Sequence, residues 1–231
     1  MSKQYNRREI LKTMSAASAA FLLPTQLHAT EPSQIIKSGD FEIQISPVSS
    51  HTVRLSIVPA KQGQTAAIPM NGSLIKASWG PPVRKLHAEI TAQIVTAGDL
   101  KIKVSSDPLA FAITDLKDEP IQTLKWDQET GAVSFATGDS PLLGLGEGGP
   151  QFDRRGSSDR MRSGQGGYEL RTHGGRVPIP WLIGTAGWAI YFHQPFGTFD
   201  LTGTEGKFLP GQDNALPLDI FVVGAREPQI L

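Results

Sequence analysis

Four charged side chains on a short glycine-rich stretch are the residues most able to do chemistry in this chain. They are Glu147, Asp153, Arg154 and Arg155, within Leu142–Gly156, L-L-G-L-G-E-G-G-P-Q-F-D-R-R-G. Five glycines in fifteen residues do not fill a core; they let the backbone turn through φ > 0 and let other groups approach closely. Two readings of the arginine pair follow. A guanidinium fork binds a phosphate or carboxylate bidentately, so Arg154 and Arg155 are one candidate anion clamp. Alternatively, one of them closes onto Glu147 or Asp153 and locks the turn. Pro150 and the glycines, which leave a turn in need of fixing, favour the second.

Other chemistries find less support. Gly144-Leu145-Gly146-Glu147-Gly148-Gly149 lacks the Lys-Ser/Thr of a phosphate-binding P-loop and opens no helix. The five histidines are spread out with no pair at ligand spacing, so no metal site and no cofactor is expected. There is no cysteine, which excludes disulfides and thiolate metal sites. Lys+Arg and Asp+Glu are both 22, so no basic excess points to nucleic acid. Asp and Glu are scattered over turns, no pair stands out, and no catalytic residue is assigned.

The elements that must carry these residues read as strands. Phe41, Ile43 and Ile45 alternate with polar residues, as do Val53, Leu55 and Ile57. The same holds for Ile90, Ala92 and Ile94, for Leu100, Ile102 and Val104, and for Leu109, Phe111 and Ile113. Period two with one polar face marks half-buried antiparallel strands. Gly39-Asp40, Asn71-Gly72, Gly98-Asp99 and Thr130-Gly131 punctuate them as turns, and Gly98-Asp99 predicts a hairpin. Val177–Ile183 is extended, and its two prolines confine it to a sheet edge or to the start of a strand. Trp188, Ile190 and Phe192 predict another strand. So do Leu218, Ile220 and Val222, with Asp219 on the opposite face. Trp126, Trp181 and Trp188 are expected in a core or interface, and Trp79 is the tryptophan expected to be exposed. No convincing amphipathic helix follows Leu23. The expected fold class is all-β, an antiparallel β-sandwich of a dozen or so strands.

Residues 1–29 read as an address. Asn6-Arg7-Arg8-Glu9-Ile10-Leu11-Lys12 precedes a mild apolar run, Thr13 to Leu23, and Leu27-His28-Ala29 is a plausible cleavage end. Eleven residues are too few for a helix to span a bilayer, which takes about 20. The segment resembles a twin-arginine signal, S-R-R-x-F-L-K. It keeps Arg7, Arg8, Leu11 and Lys12 and departs at Asn6 and Ile10. The other reading, ranked lower, is a basic amphipathic N-terminal helix. Cleavage would remove Lys3, Arg7, Arg8 and Lys12 against Glu9, leaving 18 basic and 21 acidic residues. The expectation is export to the periplasm or beyond, with residues 30–231 as one domain and no membrane span after cleavage.

A set of motifs then resembles a known family. These are Leu145-Gly146-Glu147, Phe152-Asp153-Arg154-Arg155-Gly156, Val177-Pro178-Ile179-Pro180-Trp181-Leu182-Ile183, Gly187-Trp188-Ala189-Ile190-Tyr191-Phe192 and Phe199-Asp200-Leu201. Their order and spacing are similar to the N-terminal domain of glycoside hydrolase family 31, which includes α-glucosidases and α-xylosidases. The resemblance is strong from Leu142 to Leu201 and diffuse from Ile35 to Phe135. It implies a galactose-mutarotase-like β-sandwich and, as partner, a catalytic (β/α)₈ barrel that follows Leu231 and acts on α-linked oligosaccharides. The family's catalytic aspartates lie in that barrel, so this chain alone is expected to be inactive.

The resemblance also implies a role for Ser157–Arg176, the loop that leans over the barrel mouth and helps shape the sugar pocket. A sugar site takes planar polar groups for hydroxyls and an aromatic face for the ring, and Gln165, Tyr168, Glu169 and His173 supply these types. A solvated loop with no sugar contact is the plainer alternative for each residue singly. Two functions remain: an accessory domain of an exported α-glycosidase, or a free-standing carbohydrate-binding or mutarotase-like module. A mutarotase would use His as acid and Glu as base. His173 and Glu169 lie too close in sequence to fit that role comfortably, which places the second function lower.

Overall fold

The computed structural model describes residues 41–87, 92–149, 151–162, 177–194, 196–211 and 216–225. Sixteen antiparallel strands form within them. They are β1 Phe41–Pro47, β2 Thr52–Lys61, β3 Gln64–Thr65, β4 Arg84–His87, β5 Gln93–Ala97, β6 Leu100–Ser106, β7 Leu109–Asp115 and β8 Pro120–Trp126. Then come β9 Val133–Ala136, β10 Leu142–Glu147, β11 Ser158–Arg160, β12 Val177–Gly184, β13 Trp188–Phe192, β14 Gly197–Asp200, β15 Glu205–Pro210 and β16 Leu218–Gly224. One eight-stranded sheet runs β10-β12-β13-β16-β2-β1-β4, with β3 paired to β2. The other runs β11-β14-β15-β9-β8-β7-β6-β5. The architecture is an all-β sandwich.

Alternation built this core. Ile43, Ile45, Val53, Leu55, Ile102, Val104, Ile190, Phe192, Leu218 and Val222 are all buried in one cluster. Phe135, Phe192, Phe199 and Phe208 fill its middle, with Phe192 and Phe208 stacked at 4.1 Å between ring centroids. Trp126 and Trp188 belong to the same cluster.

Three sequence expectations need correction. Ile94 faces solvent, 68% exposed, whereas Val95 and Ala97 are buried. The two-residue Gly98-Asp99 hairpin pairs Ala97 with Leu100 and Val95 with Ile102. Cross-strand partners share a face, so the inward set of β6 dictates the inward set of β5. Ile90 itself lies outside the described residues.

The proline-bearing β12 is interior, between β10 and β13. Its pairing with β13 begins only at Trp181, and Pro178 sits opposite Gly146 beside a bulge at Gly144/Gly146. Both prolines thus lie where no ladder to β13 needs their missing N–H. Finally, Ser158–Arg160 is not loop but strand β11, paired to β14. Its centre, Asp159, is fully buried.

Candidate functional site

The Leu142–Gly156 turn wraps around one guanidinium. Gly144, Leu145 and Gly146 hold φ of 99°, 61° and 80°, and Gly148 and Gly149 hold 73° and 99°. These left-handed residues coincide with a bulge in β10 between Gly144 and Gly146. Three carbonyls of the turn converge on Arg154. Arg154 Nε donates to Gly144 O at 3.0 Å, and Nη2 donates to Gly146 O at 3.2 Å and Gly148 O at 3.0 Å. The backbone N–H of Arg154 closes the turn onto Leu142 O at 2.8 Å. Arg154 is buried, 6% exposed, so its charge serves as the internal cation of the turn.

Arg155 points the other way. Its Nη2 lies 2.6 Å from Asp153 Oδ2 and its Nε donates to the same carboxylate, while Nη1 donates to Asp139 O. Asp153 Oδ1 also accepts Leu142 N–H at 3.0 Å. The Arg155 hydrogen bond, above all, lowers the Asp153 pKa to about 2. Glu147, on the outer end of β10, lines a cup of about 390 Å³ with Gln151, Phe152 and the turn glycines; Arg154 forms part of its wall. Phe152 is 80% exposed there.

Of the sugar-contact residues expected from sequence, Gln165, Tyr168, Glu169 and His173 lie outside the described residues. The described start of that segment places Arg160 and Arg162, two apart on β11 and its extension, along a cleft of about 780 Å³ with Phe196 and Leu209. A further cavity of about 550 Å³ opens at one end of the sandwich, over Leu100, Ile121 and Trp188. Among the described residues no three His, Asp or Glu side chains gather as a metal-holding group. No helix of the described residues is long and apolar enough to cross a membrane.

A second charged centre went unread in the sequence. On the outer face of the β13-β16-β2 sheet, the Asp219 carboxylate is fully buried and takes four donors. Oδ1 accepts Arg54 Nε and Ser56 Oγ, each at 2.8 Å. Oδ2 accepts Arg54 Nη2 at 2.8 Å and sits 2.8 Å from His193 Nδ1. Burial pushes the carboxyl up, but the hydrogen bonds from His193 and Arg54, the Arg54 charge and the Ser56 hydroxyl outweigh it, so its pKa lies below the ordinary value. A strap, residues 66–83, crosses this centre. Trp79 packs edge-on against Phe221, with Arg54 set over both rings. Trp79 is therefore half-buried, against the expectation of exposure. The available signal was Asp219 itself, a charge among the apolar residues of L-D-I-F-V-V; its partner Arg54 lies 165 residues away.

With this geometry in place, likeness to solved structures is decisive for the fold. A Flavobacterium johnsoniae GH31 dextranase superposes over 83% of this chain, with a TM-score of 0.62 and 16% identity. This is the fold of a domain in glycoside hydrolase family 31 enzymes. The same family 31 fold occurs in an α-xylosidase from a soil metagenome, at TM-score 0.52 and 12% identity over 84% of this chain. The cycloalternan-forming enzyme of Listeria monocytogenes matches 83% of the chain at TM-score 0.57 and 16% identity. The chain spans only 24% of the dextranase, 31% of the α-xylosidase and 19% of the cycloalternan-forming enzyme. No protein-family profile and no curated protein matches the sequence.

Proposed function

We propose that this chain is the N-terminal β-sandwich domain of an exported family 31 α-glycosidase. Its catalytic partner is a (β/α)₈ barrel encoded beyond Leu231, and the substrate is an α-linked oligosaccharide. The observation that carries this reading is the joint one of fold and coverage: the chain matches the family 31 fold over 83% of its length yet accounts for 24% of the dextranase. The motif order from Leu145 to Leu201 supports it.

Within that assembly the rigid Arg154 turn anchors the start of the segment leading to Gln165, Tyr168, Glu169 and His173. The loop as a whole helps shape the sugar pocket, and Gln165, Tyr168, Glu169 and His173 are its candidate sugar partners by side-chain type. The domain itself does no hydrolysis. Retaining glycosidases need two carboxyl groups about 5–5.5 Å apart, one nucleophilic and one acid/base. Asp219 is saturated by four donors, and Asp153 is held by Arg155. Residues 1–29 direct export through the twin-arginine route.

The test is the coding sequence that follows the Leu231 codon. A barrel with its catalytic aspartates, in frame or frameshifted, is expected. A stop followed by unrelated sequence contradicts the proposal and favours a free-standing carbohydrate-binding module.

A further inference from the structure

The strap over the β13-β16-β2 face is fastened by a histidine whose two ring nitrogens both meet acceptors. His193 is buried, 5% exposed. Its Nδ1 lies 2.8 Å from Asp219 Oδ2. Asp219 is an anion here: the Arg54 guanidinium meets both of its oxygens and the Ser56 hydroxyl donates to Oδ1, and a facing cation favours the charged carboxylate. Nδ1 must therefore bear hydrogen. Nε2 lies 2.9 Å from Asn71 Oδ1, on the strap. The Asn71 amide is oriented by its neighbour. Ser73 N–H donates to Oδ1 at 3.0 Å and the Ser73 hydroxyl donates to it at 2.6 Å. A backbone N–H only donates, so the amide oxygen, not its nitrogen, occupies that position. Nε2 must bear hydrogen too.

We propose that His193 is an imidazolium latch: doubly protonated, it ties the 66–83 strap to the sheet through Asn71, and on losing a proton it releases the strap. The neutral ring keeps its Nδ1 hydrogen for Asp219 and turns a bare Nε2 lone pair toward Asn71 Oδ1, where attraction becomes repulsion. The charges facing His193 are Asp219 from β16 and, through that carboxylate, Arg54 from β2. The Tyr191 ring from β13 stacks at 6.4 Å, and its hydroxyl donates to Ser73 Oγ at 2.8 Å. From the strap come the neutral Asn71 and, farther out, Lys76 over the Trp79 ring. The sign follows from the chemistry. The latch is closed while both ring nitrogens of His193 carry hydrogen and opens when Nε2 loses its own. Opening frees the Asn71–Ser73 end of the strap and bares the rings of Tyr191 and Phe221, while Arg54 Nη1, donating to Ala77 O at 2.7 Å, holds the other end.

Two measurements on the full 231-residue chain test this. The first is the pair of His193 ring ¹⁵N shifts across pH. The second is the exchange protection of strap amides, corrected for intrinsic rates, with binding of the apolar dye ANS as a further readout. The expected result is two protonated nitrogens while Ser73 is protected, then about a tenfold loss of Ser73 protection and a gain in dye binding in step with deprotonation. Asn71→Asp, at an exposed position, supplies a charged acceptor and should move the release to higher pH. His193→Gln should make strap protection independent of pH. If that buried substitution prevents folding, the Asn71→Asp shift decides alone. A single protonated nitrogen with the strap still protected, or a release pH unmoved by Asn71→Asp, overturns the latch.

Discussion

A β-carbon placed on Gly149 would stand 2.4 Å from Nη1 of Arg154, and 3.3 Å from a carboxylate oxygen of Asp159. No real contact is that close. The glycine is thus required twice, once for its φ of 99° and once for the guanidinium beneath it. Gly149→Ala is expected to lose more than the roughly 1–2 kcal/mol of left-handed strain alone. Gly138→Ala is the control: its φ is 65°, but nothing lies within 4 Å of the added carbon. Urea unfolding of the two variants should differ, with the Gly149 variant the weaker.

Arg154 holds three backbone carbonyls of the turn, those of Gly144, Gly146 and Gly148. Replacing it with Met keeps the volume of the stem and removes every donor. Buried acceptors left unmet cost about 1–3 kcal/mol each, and water reaching in from the cup will relieve some of this. A net loss of about 3 kcal/mol is expected, read from the same unfolding curves. Arg154→Lys should recover part of it, because an ammonium reaches fewer of the three oxygens than the planar fork. A Met variant as stable as the parent would show that the turn stands without its cation.

The Asp153–Arg155 pair makes a prediction about pH. The folded carboxyl titrates near 2, below its ordinary value near 3.9. Its contribution to stability is therefore present in full above the ordinary value and is lost as pH falls through the folded one. Both side chains are more than a third exposed, so salt weakens the effect. Carboxyl ¹³C shifts should place Asp153 near 2 in the parent and close to its ordinary value in Arg155→Ala.

Asp219 is the opposite case, buried and multiply bonded. Asp219→Ala leaves the Arg54 guanidinium buried without its counter-charge, and such a break costs about 3–5 kcal/mol. Thermal unfolding should show a large drop. In the parent, this stabilisation is present above the ordinary carboxyl value and fades as pH falls through the depressed folded one.

The core was legible in the sequence because alternation is a local signal: Val53, Leu55 and Ile57 announce a buried face without reference to any partner. Ile94 misled because a more hydrophobic residue lost to register. Ala97 must pair with Leu100 across a two-residue turn, and that fixes Val95 inward. The place of β12 in its sheet was illegible for a related reason. Prolines report where an N–H is missing, not where the neighbouring strand begins, and β13 begins pairing only at Trp181. At the turn, glycine density and the arginine pair pointed to the right stretch. What they did not show is the division of labour, with Arg154 turned inward to carbonyls and Arg155 outward to Asp153. The Arg54–Asp219–His193 centre joins β2, β16, the residue that follows β13 and a strap through contacts up to 165 residues apart, and a single sequence carries no signal for such pairing.

The proposed role is that of a sandwich serving a sugar-cleaving partner, without hydrolysis of its own. Its most direct test is hydrolysis of an aryl α-glucoside by the purified 231-residue chain, measured beside the same chain extended through the downstream reading frame. The account predicts no turnover by the first and turnover by the second. Reproducible turnover by the 231-residue chain in a clean preparation would contradict it.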